Sequence, residues 1–61
     1  MTNLSEKELA ALNDSLSEEG LLVKKFQMLA SQTQDTEISN KFMEISKRHQ
    51  KHYNDLYSLL K

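Results

Sequence analysis

Three ionisable residues sit where apolar ones are expected, and they hold most of the chemistry this 61-residue chain can offer. Glu19 lies three residues after Leu16, four before Val23 and seven before Phe26, so on a helix it points where those side chains point. Glu18 and Lys24 point away. His49 follows Ile45 by four and His52 precedes Leu56 by four, so both histidines of the chain are expected to face the core. A carboxylate on such a face needs a partner, and an imidazole N–H or a metal ion are the natural ones. Two readings follow. In the first, Glu19 hydrogen-bonds His49 or His52, and the polar layer fixes helix register as buried polar residues do in coiled coils. In the second the three residues ligate a metal: His-x-x-His at i, i+3 is able to chelate, and two copies of the chain would set six ligands around a dimer axis. The polar layer is the first expectation and the metal site the alternative.

The elements that position these residues are written around them. Residues 4–9 read LSEKEL. Ser5 can accept from the Glu8 N–H while the Glu8 carboxylate reaches back to the Ser5 N–H, a capping box, with Leu4 and Leu9 placed for a hydrophobic staple. Apolar residues then recur as Leu9, Leu12, Leu16, Leu22/Val23, Phe26 and Leu29/Ala30, one stripe at steps of three and four. The polar run 31–36 breaks the pattern, and Asp35 is placed to N-cap a second helix with Glu37 near its positive end. The second stripe is Ile38, Phe42, Ile45, Leu56 and Leu59/Leu60, completed by positions 49 and 52. The spacing predicts helix A over about 6–33 and helix B over about 36–60, roughly 42 and 37 Å long, packed antiparallel across a short turn. With the turn near position 35, Glu19 lies 16 residues before it, and His49 and His52 lie 14 and 17 after it. All three are therefore expected at one level of the hairpin. Two features leave alternatives. Asn13, Asp14 and Ser15 could cap a fresh start and break helix A near 13–17. Gly20, costing about 1 kcal/mol in a helix interior, either permits close helix approach or is simply tolerated.

Composition sets the remaining bounds. Proline is absent, Gly20 is the only glycine, and strand-type alternation is missing, so sheet structure is excluded on propensity and period. A domain of this size is marginal without help. Cysteine is absent, which removes disulfides and thiolate metal sites. Self-association or a His/carboxylate metal site remains. Two helices with one apolar stripe each leave one side of the hairpin uncovered, and a dimeric four-helix bundle closes it. Eight basic and nine acidic residues give a net charge of −1 with mixed signs, favouring neither nucleic acid nor an anionic membrane. There is no signal-peptide pattern and no apolar run near the roughly 20 residues of a membrane span, so an intracellular location is expected. Tyr53 and Tyr57 read as packing residues with wet hydroxyls. Met28 and Met43 read as gap fillers, and Lys47, Arg48 and Lys51 as a solvated basic face. No phosphate-binding loop or activated nucleophile is written here, so no enzyme is expected.

Several segments together carry a family resemblance. Residues 4–9 (LSEKEL), Glu19 with residues 22–26 (LVKKF), residues 34–37 (QDTE) and residues 49–53 (HQKHY) resemble small clostridial spore-coat proteins, similar to the Coat F group of the ferritin-like superfamily. The resemblance spans nearly the whole chain. It implies a half-ferritin: one hairpin, residues 1–61, that dimerises into a ferritin-like four-helix bundle in the spore coat, with other coat proteins as further partners. In di-iron members one helix supplies a Glu and the next a Glu-x-x-His. Glu19 matches the first and His52 the terminal His, while His49 stands in place of the bridging Glu. The dimer would offer two carboxylates and four imidazoles, a set that suits zinc, copper or nickel as well as iron, and a working di-iron oxidase is not expected. The expectation is thus a homodimeric structural or interaction protein without catalytic turnover and without a required cofactor. The alternative is a metal-binding protein holding a divalent ion (zinc, iron or manganese) on Glu19, His49 and His52. A third is an adaptor whose uncovered face docks on a different protein.

Overall fold

The structure is a computed structural model that describes residues 3–60. Helix α1 runs Glu6–Gln32 and helix α2 Thr36–Tyr57, followed by a short 3-10 turn, Ser58–Leu60. They form an antiparallel hairpin 46 × 16 × 10 Å in extent.

Both helix starts follow the local chemistry read above. Ser5 is extended and its hydroxyl accepts from the Glu8 N–H at 3.1 Å, while Glu8 Oε1 accepts from the Ser5 N–H at 2.9 Å. Those bonds favour the charged carboxyl, the backbone bond most, and hold the Glu8 pKa below its ordinary value of 4.5. Asp35 Oδ1 accepts from the Ile38 N–H at 3.0 Å and caps α2. Between the helices, Thr33 takes an extended conformation and its hydroxyl accepts from the Asp35 N–H. No described residue has a positive φ, so this connection reverses the chain with side-chain acceptors and needs no glycine.

Helix α1 is continuous through residues 13–17. Leu12 and Leu16 are both buried against α2, and that packing outweighs the capping tendency of Asn13, Asp14 and Ser15. Helix B of the sequence reading keeps its extent to residue 60, but its last turn tightens to 3-10 geometry after Tyr57.

The helices meet along a seam of seven-residue spacing. Leu16, Val23 and Ala30 are buried on α1, with Leu12 one turn further toward the start. Ser39 and Ser46, also seven apart, face them from α2. Ser46 is the most buried of the described residues at 2% exposure, and its hydroxyl donates to the Val23 carbonyl across the interface at 3.1 Å. Ser39 donates to the Ala30 carbonyl at 2.8 Å. These two bonds fix the register, and only small side chains let the backbones approach so closely. The buried stripe starts at Leu12, since Leu9 is exposed. Among the described residues no helix is long and apolar enough to cross a membrane.

Candidate metal centre

Glu19 is the middle residue of the 27-residue helix α1. It lies seven residues from Leu12 and from Phe26, on the flank of the seam that also carries Leu22 and Leu29. From α2 the matching positions are Phe42, His49 and Leu56, flanked by Ile38, Ile45, His52 and Leu59. Register brings the three polar residues together. His49 Nδ1 lies 2.7 Å from Glu19 Oε1, and His52 Nδ1 lies 3.6 Å from the same oxygen. One ligand-type atom from each residue falls within 4.8 Å of the others.

The three are not equally covered. The Glu19 and His49 side chains are 21% and 22% exposed, whereas His52, expected to face the core, is 55% exposed because it lies at the outer edge of the apolar side of α2. The His49 ring is held on both sides: Phe26 stacks on it at 5.9 Å and 15°, and the His52 ring meets it edge-on at 5.7 Å. Phe42 packs in turn on Phe26 at 5.9 Å. A carboxylate oxygen accepts, so in this contact the imidazole Nδ1–H of His49 is the group able to donate. Phe26 was findable as a neighbour of His49, because it lies seven residues from Glu19 and so on the same helical side.

The donor set fits a divalent ion of imidazole-binding type. With one carboxylate and two imidazoles it offers no second carboxylate to bridge an iron pair. Metal binding would compete with the hydrogen bond, since Glu19 Oε1 and His49 Nδ1 cannot both share a proton and ligate through those atoms.

The other sequence candidates fall outside this cluster. Tyr53 packs its ring 3.8 Å from where a Cβ on Gly20 would sit and stacks on Tyr57 at 6.2 Å, consistent with a packing role. Met28 and Met43, expected to fill gaps, are instead exposed, Met28 the more so because it stands two residues, about 200° of helix rotation, from the buried Ala30. Lys47, Arg48 and Lys51 are exposed, and Lys51 pairs with Asp55 at 3.2 Å. Two residues that sequence reading passed over are Ser39 and Ser46, whose bonds to the Ala30 and Val23 carbonyls set the level at which Glu19 meets the histidines. In comparisons with known proteins the chain matches no family model, no curated protein and no solved structure.

Proposed function

We propose that this chain is a structural, interaction-type protein that acts by pairing with a second copy of itself, as a homodimeric ferritin-like helical bundle without catalytic turnover. The observation that carries the reading is the half-covered apolar face beside the seam. Leu22, Phe26, Leu29, Phe42, Ile45 and Leu56 are each only partly buried, while Ile38 and Leu59 are exposed. The hairpin exposes 4913 Å² for a mass of 7.1 kDa, where a compact protein of that mass exposes roughly 4,100 Å². The surplus, on the order of 800 Å², is what one partner contributes to an interface of standard size. A second hairpin laid on this face would round the flat two-helix layer into a four-helix bundle. The resemblance of residues 4–9, 22–26 and 49–53 to Coat F-type proteins supports the same reading and supplies its setting, a spore coat with other coat proteins as neighbours.

Sedimentation equilibrium over a wide concentration range tests it. A dimer whose melting temperature rises with concentration is the expected result. A monomer at every concentration would sink the reading. An oligomer that forms only with a foreign protein would favour the adaptor alternative.

A second reading has its own observation, the convergence of Glu19, His49 and His52 within ligand distance of one another. On that reading the protein binds a divalent ion such as zinc, and the ion is part of its fold. Native mass spectrometry after incubation with zinc, iron or manganese then shows stoichiometric metal, lost in His49→Ala and His52→Ala. A dimer that takes up none leaves the layer as a hydrogen-bonded spacer.

A further inference from the structure

We propose that the second copy docks with its own Glu19–His49–His52 layer opposite this one, so that the Glu19 carboxylate of each copy accepts a hydrogen bond from the partner's His52. The inference rests on the self-association reading and specifies how that association is built.

Two observations carry it. The first is position. Glu19 is the middle residue of α1, and apolar face residues flank its level on both sides, Phe26 and Phe42 toward the connection and Leu56 and Leu59 toward the other end. A two-fold axis parallel to the helices keeps every level opposite itself. An axis crossing them at mid-length inverts the ends and leaves only the centre opposite itself. Any two-fold arrangement that overlaps the hairpins along their full length therefore brings the two polar layers together.

The second is unfinished hydrogen bonding. Glu19 Oε1 is taken by His49, whereas Glu19 Oε2 has no hydrogen bond among the described residues. His52 Nδ1 at 3.6 Å from Oε1 is beyond hydrogen-bond length, and its side chain is the exposed member of the cluster. Both groups lie on the face a second copy would cover. Covered without partners, each would be a buried polar group with its hydration lost, which is strongly unfavourable. Facing each other across the axis, each supplies what the other lacks. The groove on the opposite side of the hairpin, beside Gly20 and Tyr53, is bordered by the exposed polar side chains of Asn13, Lys24, Gln27 and Gln50 and carries no pairing of a half-buried carboxylate with an imidazole.

An isotope-filtered NOE spectrum of a mixture of labelled and unlabelled wild-type chains reads the contact without any substitution. Cross-peaks from the His52 ring to the other copy are expected. In parallel, His52→Ala is expected to raise the dimer dissociation constant by at least about tenfold with helicity unchanged, and His52→Gln, which restores a donor, to recover part of the loss. Cross-peaks confined to Leu21, Met28 and Met43 on a protein that still dimerises would overturn this inference and leave self-association standing. So would a His52→Ala dimer as tight as wild type. A wild-type monomer would overturn both.

Discussion

The seam between the helices and the face beside it are built from the same two segments with opposite choices of side chain. Toward the connection the seam uses Val23, Ala30, Ser39 and Ser46, smaller residues that let the backbones close until hydroxyls reach carbonyls of the other helix, and toward the other end it buries Leu12 and Leu16. The face uses Leu22, Phe26, Leu29, Phe42, Ile45 and Leu56, larger residues that remain partly open to water. One region is finished by the chain alone. The other presents reach and area in excess of what the chain can cover.

Substitutions that separate the two regions sharpen this contrast. The largest effect belongs to the seam: Leu16→Ala should cost about 2–5 kcal/mol, seen in urea unfolding as a loss at every protein concentration. Ser46→Leu should follow at about 1–3 kcal/mol, because a larger side chain at a site 2% exposed must push the helices apart. A neutral Ser46→Leu would mean the backbones are not in close approach. On the open face, Phe42→Ser should cost the single hairpin only about 1–2 kcal/mol yet abolish the dependence of melting temperature on concentration, an outcome no seam variant should reproduce.

Two smaller changes probe the margins. Gly20→Ala should stabilise by about 0.5–1 kcal/mol, because its Cβ would meet the Tyr53 ring at 3.8 Å, an ordinary contact; destabilisation would mean that the glycine is required for close approach. The smallest effect is at Glu8. Its folded pKa lies below the ordinary 4.5, so its contribution is present above the unfolded value and is lost as pH falls through the folded one. Glu8→Gln should remove that part of the acid-side slope and leave stability flat there above pH about 6.

Sequence reading reached the parts of this molecule that local chemistry or period decides. The capping box at Ser5, the cap at Asp35 and the meeting of Glu19 with His49 across the hairpin all follow from spacing. It did not separate Val23 from Leu22 or Ala30 from Leu29, because neighbouring apolar residues both lie within a stripe as wide as a helix face allows. Ser39 and Ser46 escaped for a related reason: a hydroxyl counts as polar in any pattern, and its burial becomes intelligible only with a carbonyl of the other helix in reach. The possible break at residues 13–17 failed in the reverse direction, since capping residues in mid-helix yield to Leu12 and Leu16 on the buried side. Which copy, ion or neighbour meets the open face is not written in the period at all.

The two serine hydroxyls have a consequence for dimensional tolerance. Ser39 and Ser46 are spaced like the carbonyls they grip, at Ala30 and Val23, so a slide of one heptad would let a single clip re-form. The three-residue connection between Gln32 and Thr36 would have to extend to follow a slide of roughly 10 Å, and one of the two clips would be lost. The pair of clips and the short tether together favour one alignment. Every molecule therefore presents its open face with the same offset between helices, and an array of such hairpins would take its positional scatter from the joints between units rather than from the units.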